Sequence, residues 1–132
     1  MRSGGKGQRM VIDTSALLAV IFNEPQGPRI AKILSDQTGV LCMSTVNLAE
    51  CLILIEDRQP QDFEAIRETI YSLKIRMIAP SKQQAEIAAK ARLQYPLNLG
   101  DCFAYALAQQ EGVPLLTLDK DFVKTDLDLV EL

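Results

Sequence analysis

The sequence predicts an α/β fold of three layers: a mostly parallel central sheet of four to five strands with helices on both faces. Three observations point there. Short β-branched or apolar runs alternate with longer segments of helical apolar spacing, as strands joined by crossover helices do. The early strand runs end at an acid or at a capping hydroxyl, so helices begin where strands stop. A chain of 132 residues, 48% of them apolar, suits one domain that buries a core without disulfide staples.

Arg9 to Asp13 reads as the first strand, and Thr14 to Phe22 continues as an apolar helix, which puts Asp13 at the junction. Pro25 to Gln37 carries Ile30, Ile33 and Leu34 at helical spacing, with Gly39 as a stop signal. Val40 to Met43 is the second strand. Ser44 and Thr45 can cap a helix to about Arg58, whose Val46, Leu48, Ala49, Leu52, Ile53, Leu54 and Ile55 leave hardly any polar face. Such a helix is expected to be covered on most sides. Pro60 opens the next helix, with Phe63, Ile66, Ile70 and Leu73 in helical period. Ile75 to Ala79 is the third strand. Pro80 and Ser81 begin an alanine-rich helix to Gln94, broken by Pro96. Asn98 caps a helix that reaches Glu111 and stops at Gly112. Pro114 to Leu118 is the fourth strand and Leu127 to Val130 a short fifth. Residues 10–132 read as one domain, whereas residues 1–9, with three glycines, three basic residues and no acid, read as a disordered lead or alternative-start extension.

The chain contains no histidine. That excludes Ser-His-Asp and Cys-His nucleophile pairs, imidazole bases and histidine metal ligands. Cys42, Cys51 and Cys102 are odd in number, widely spaced and set in apolar runs, so they read as buried thiols of a reducing, cytoplasmic compartment. No apolar run approaches the roughly 18 residues of a membrane span, and the polar opening does not read as a signal peptide. The formal charge is −3; without the three basic residues of the lead, 11 basic residues face 17 acids, about −6. A nucleic-acid partner of so acidic a domain must be met by a local basic rim or by bound cations.

Four acids map to the edge where α/β sheets bind ligands, beyond the carboxyl ends of the strands, or to its helix entries. Asp13 ends strand one, Glu50 lies on the second turn after strand two, Asp101 opens the helix before strand four, and Asp119 follows strand four with Asp121 just behind. Asp13 could simply cap a helix, Asp101 complement a helix dipole, and Asp119 and Asp121 form a turn. Glu50 resists such a reading, because it lies in an apolar helix with no basic residue within a turn. Carboxylates that converge in a half-buried cleft repel one another unless cations bind, and an all-oxygen set suits Mg2+ or Mn2+. Thr14, Ser15, Thr45 and Thr117 are hydroxyls placed to orient these acids or a water. The matching chemistry is hydrolysis of a phosphodiester by water activated at the metal, which leaves a 5′-phosphate.

The segments Val-Ile-Asp-Thr-Ser-Ala-Leu (11–17), Ser-Thr-Val-Asn-Leu-Ala-Glu (44–50), Leu-Asn-Leu-Gly-Asp-Cys-Phe-Ala-Tyr-Ala-Leu-Ala (97–108) and Pro-Leu-Leu-Thr-Leu-Asp-Lys-Asp-Phe (114–122) together resemble the PIN domain, and within it the VapC-type ribonuclease toxins of type II toxin-antitoxin systems. The resemblance spans Met10 to Leu132. It implies a Mg2+-dependent endoribonuclease in which Asp13, Glu50 and Asp101 match the family's three acids. The fourth falls at Asp119 in many relatives and at Asp121 in the subgroup that shares Gly-Asp-Cys-Phe; this chain has both. That subgroup often carries a longer basic, glycine-rich stretch where this chain has Gln94-Tyr95-Pro96. The resemblance further implies an RNA substrate, a homodimer or toxin-antitoxin hetero-oligomer, and a cognate antitoxin whose tail covers the cleft. The helices from Val46 to Leu73 are the expected partner surface, bordered by Arg58 or nearby basic residues.

Two other classes fit less well. A haloacid-dehalogenase-like phosphatase needs Asp-x-Asp-x-Thr, and the second position here is Ser15. A receiver domain needs paired acids after strand one and an Asp after strand three, where this chain has Ile12 and Ala79-Pro80-Ser81. A PIN-fold interaction protein without activity is the remaining alternative, and the intact acid set argues against it.

Overall fold

The computed structural model describes residues 9–36 and 41–132. The lead up to Gln8, the helix stop at Gly39 and the strand start at Val40 lie outside the described residues. The elements are β1 (Met10–Ile12), α1 (Thr14–Ile21), α2 (Gly27–Asp36), β2 (Leu41–Ser44), α3 (Thr45–Arg58), a 3-10 turn (Pro60–Asp62), α4 (Phe63–Ser72), β3 (Arg76–Ile78), α5 (Lys82–Gln94), α6 (Leu99–Glu111), β4 (Leu115–Leu116) and a second 3-10 turn (Lys120–Lys124). The caps fall where hydroxyls and amides allow: Ser44 Oγ accepts the Val46 amide, Ser81 Oγ that of Gln84, and Asn98 Oδ1 that of Asp101. Gly112, at φ 68°, closes α6 in the left-handed region.

The strands form one parallel sheet in the order β3-β2-β1-β4. Their two-residue period sorts the layers. Met10, Ile12, Leu41 and Met43 point to one face and pack with Leu17, Ile30, Cys51, Ile55 and Ile70 from α1 to α4. Val11, Cys42 and Leu115 point to the other, against Ala88, Ala91, Ala104 and Leu107 of α5 and α6. Each such aliphatic side chain withdrawn from water stabilises the fold by about 1.5–3 kcal/mol. The small alanines let α5 and α6 approach each other and the sheet closely.

The expected fifth strand shrinks to one parallel bridge between Leu115 and Leu129, with the Leu115 N–H donating to Asp128 O at 2.9 Å and the Val130 N–H to Leu115 O at 2.9 Å. The cause lies in β4, which leaves the ladder after Leu116. Thr117 and the Leu118 amide are drawn instead to Asp13 and Ser15. A two-residue strand cannot support a longer neighbour.

α3 departs further from expectation. It buries only the stripe Asn47, Cys51 and Ile55, and Ile53 is 66% exposed. Its apolar outer face therefore lies open, beside a concavity of about 590 Å³ lined by Leu52, Ile53, Phe63, Glu56 and Asp57. Arg58 does not border that groove; its guanidinium stacks 4.7 Å above the Phe22 ring, and the rim is acidic.

Crossovers from β1 run through α1 and α2 to β2 on one side, while β4 arrives on the other side of β1 from α6. The strand order thus reverses between β1 and β4, which run parallel, and a crevice opens beyond their carboxyl ends. No described helix is long and apolar enough to cross a membrane.

Candidate active site

Asp13 follows β1 at this crevice and is 2% exposed. One carboxylate oxygen, Oδ1, accepts the Ala16 amide at 3.1 Å and the Ser15 hydroxyl at 2.8 Å; Oδ2 accepts the Thr117 hydroxyl at 2.6 Å. Ser15 Oγ in turn accepts the Leu118 amide at 2.9 Å, which ties the end of β4 to the start of α1. Asp13 is therefore both the cap of α1 and a fixed acid on the floor of a pocket. Burial pushes its carboxyl up to about 6 against the pull of these hydrogen bonds, and the negative Asp119 adds to the rise.

Glu50 is brought in by α3. Its Oε1 accepts the Thr14 hydroxyl at 2.6 Å and the Asn47 amide at 3.0 Å. The same Asn47 amide nitrogen donates to Gly100 O at 3.0 Å, so one side chain joins α3 to the first turn of α6. The Glu50 carboxylate lies against Gly100: a β-carbon there would overlap Oε2 and stand 2.7 Å from Oε1. Gly100 is thus a glycine because the acid occupies the space a side chain would need.

Asp101 sits one residue on, in a reciprocal cap with Asn98. Its amide donates to Asn98 Oδ1 at 2.8 Å, and the Asn98 amide donates to Asp101 Oδ2 at 3.3 Å. Partial burial pushes its carboxyl up to about 6 against the pull of the Asn98 amide, and the negative Asp119, Asp13 and Glu50 add to the rise. Asp119 caps the second 3-10 turn, accepting the Asp121 amide at 2.9 Å.

These groups meet around one pocket of about 310 Å³, lined by Asp13, Thr14, Ser15, Glu50, Asn98, Asp101 and Asp119 together with Leu18 and Leu54. Asp121 and Thr45 do not line it. Thr117 stands behind it, bonded to Asp13. Asn47 and Gly100, which seat Glu50, were not singled out by the sequence reading. Their signals are faint: an amide one turn before a buried acid, and a glycine inside a helix.

Among the described residues the pocket carries no basic side chain. The ion pairs of the described residues, Arg9 with Glu111, Lys32 with Asp36, and Arg67 with Glu64 and Glu68, leave all its acids unneutralised. Beneath it the Cys51 thiol is buried and pushed up to about 12, by burial first and by Asp13 and Glu50 next, so it is a neutral packing group. Among the described residues no three acids or thiols already close around a common point as a coordination sphere. The fit to a hard divalent cation is one of chemistry and charge: carboxylate oxygens only, and a repulsion that a cation would offset.

The PIN domain family model matches residues 10–127. The chain is 36% identical to a protein named ribonuclease VapC of Mycolicibacterium smegmatis over 130 residues, 92% of this chain and 99% of the relative. It is likewise 36% identical to ribonuclease VapC30 of Mycobacterium tuberculosis over 133 residues, 93% and 99% of the two chains. Among solved structures, VapC20 of Mycobacterium tuberculosis, described as a toxin cleaving the sarcin-ricin loop, superposes with a TM-score of 0.79 at 17% identity, covering 93% of this chain and 99% of that one. A DNA-bound VapBC of Salmonella typhimurium gives 0.74 at 21% identity, covering 94% and 97%.

Proposed function

The chain belongs to the PIN-domain family, and on that premise we propose that it is the toxin of a type II toxin-antitoxin pair, a Mg2+-dependent endoribonuclease. The observation that carries the reading is the pocket at the β1/β4 switch point, which four carboxylates line with no basic side chain among the described residues. The names of the relatives support the substrate class.

Asp13, Asp101 and Asp119 would hold Mg2+ or Mn2+, with Glu50 beside them. When bound, such a cation offsets the charge of a phosphodiester and makes a water a stronger nucleophile. The chain's own groups do the rest. Thr117, Ser15 and the Ala16 amide lock Asp13 in one orientation, so no reorganisation is needed when charge develops nearby. Thr14 and Asn47 occupy Glu50 Oε1, which leaves Oε2 without a protein donor among the described residues and free to accept a hydrogen bond from the attacking water. We take Asp119 and not Asp121 as the fourth acid, because the Asp119 carboxylate borders the pocket, whereas Asp121 stands outside it and supplies only its backbone amide, which donates to Asp119 Oδ1. Water as nucleophile gives a 5′-phosphate and a free 3′-hydroxyl. The acidic domain meets RNA because cations reverse the sign of the field at the cleft.

The open outer face of α3 is the natural seat for the antitoxin or for a second copy of the chain. An apolar segment with basic flanks fits the groove of Leu52, Ile53 and Phe63 rimmed by Glu56 and Asp57. An antitoxin arginine entering the acid pocket would silence it. Three buried free thiols suit the reducing cytoplasm.

Cleavage of a mixed RNA pool by the purified chain tests the reading, with Mg2+, with EDTA, and for Asp13→Asn and Asp101→Asn. Activity is expected only in the wild type with Mg2+. Cleavage in EDTA, or full activity in both variants, would overturn the mechanism. A folded wild type that cleaves no RNA would favour an inactive binder.

A further inference from the structure

We infer that a second pocket, next to Asp119, is a subsite for one base of the RNA strand and sets the sequence preference of cleavage. This rests on the ribonuclease reading above. The pocket measures about 370 Å³ and lies between the start of α2, the end of β4, the second 3-10 turn and the C-terminal segment; Gln26, Leu118, Lys120, Val123, Leu129 and Val130 line it. Its size falls near the lower end of small-molecule sites, roughly 300–1,000 Å³, enough for a single nucleotide and too small for a folded partner segment.

Continuity with the acid pocket gives the occupant. Asp119 lines both cavities, and Thr117, bonded to Asp13 on one side, lines the second on the other. A ligand whose phosphodiester sits at the acids and whose next group enters this cavity must be charged at one end and largely apolar at the other, as a nucleotide is. The walls suit a base: aliphatic side chains contact its faces, and the exposed Gln26 amide offers a donor and an acceptor to its edge. Lys120, exposed at the rim, is a cation placed for a flanking phosphate.

The turn itself is divided in a way that core packing does not require. Phe122 is fully buried and anchors it, while Val123, the next residue, is 70% exposed at the mouth of the cavity. Val123 does not stand alone: with Leu118, Leu129 and Val130 it forms a contiguous apolar lining beside the acids, which a ligand entering the cavity would cover. Single-stranded RNA, whose unstacked bases can be splayed out, supplies that ligand.

The test separates this inference from the ribonuclease reading. Methyl spectra of the full chain in millimolar Mg2+ are recorded during titration with each of the four ribonucleoside 5′-monophosphates, which carry no phosphodiester to cleave, and with ribose 5-phosphate. Saturable shifts at Leu118, Val123, Leu129 and Val130 are expected, with one base preferred by about fivefold or more. Gln26→Ala should flatten the preference, and Val123→Glu should abolish the shifts without unfolding the chain. Shifts at other methyls only, none at all, or equal shifts with ribose 5-phosphate would overturn the subsite. In the RNA pool, Val123→Trp should change the base preference at one position flanking the cut; an unchanged cleavage profile also overturns it. A wild type that cleaves no RNA counts against the ribonuclease reading, while the methyl titration still decides the subsite.

Discussion

Asp13 shows how one side chain serves the fold and the site together. As a cap it needs only an acceptor oxygen, which asparagine supplies equally well; as a member of an acid cluster it needs its charge. Asp13→Asn should therefore lose RNA cleavage by about 100-fold or more, yet melt in EDTA at pH 7 no lower than the wild type, because a desolvated charge is removed. A matched fall in calorimetric stability and activity would reduce Asp13 to a cap. Gly100 offers a second separation. Alanine there gains up to about 1 kcal/mol of helix propensity, but its methyl meets a carboxylate pinned by Thr14 and Asn47. Gly100→Ala is expected to cut activity at least about tenfold while shifting stability by less than about 1 kcal/mol, the clash and the propensity offsetting each other. In a Glu50→Ala background the same change should become stabilising, and denaturant melts of the double-mutant cycle check it. Asp13 and Glu50 stand out in the sequence because each is an acid among apolar neighbours. Asn47 and Gly100 do not, since nothing local tells that they face each other.

The helix α3 carries the largest difference between expectation and fold. Its composition called for cover on most sides, yet one stripe of Asn47, Cys51 and Ile55 is buried and the opposite face is open. Composition reports how much apolar surface a helix carries, not which molecule covers it. Ile53→Glu is therefore expected to leave the stability of the isolated chain within about 0.5 kcal/mol while weakening antitoxin binding at least about tenfold, as a charge enters an apolar groove already rimmed by acids. Isothermal titration of the two proteins measures this, and an unchanged affinity would place the interface elsewhere. The strands were legible to within two residues for the same reason that α3 was not: their period-two burial is answered by the chain's own helices.

Across the whole molecule, the acid pocket links stability to pH and to cations. Asp13 and Asp101 titrate near 6 in the fold, against 3.8 in an exposed chain. Between these values the folded chain holds more protons than the unfolded one, so stability falls as pH rises through the window and stays low at pH 7. For Asp13 the rise corresponds to on the order of 2–3 kcal/mol; half-exposed Asp101 adds less because solvent screens it. Asp126, held low by the Tyr105 hydroxyl, acts in the opposite sense, but only in more acidic solution. In EDTA the chain should melt higher at pH 5 than at pH 7, and millimolar Mg2+ should raise the midpoint at pH 7 far more than at pH 5, because binding favours the ionised fold. Scanning calorimetry under the four conditions decides it; the reverse order would remove the charge conflict from the pocket. The layered α/β class, the strand-end acids and the buried thiols were readable from the chain alone, since periodicity, caps and turn residues act over a few neighbours and the four motifs keep their order. The seating of Glu50, the lock on Asp13 and the position of Asp119 rather than Asp121 at the pocket were not. They depend on contacts between residues 36, 53 and 104 positions apart, and such separations become neighbours only when the sheet closes and brings β1, β4, α3 and α6 to one crevice.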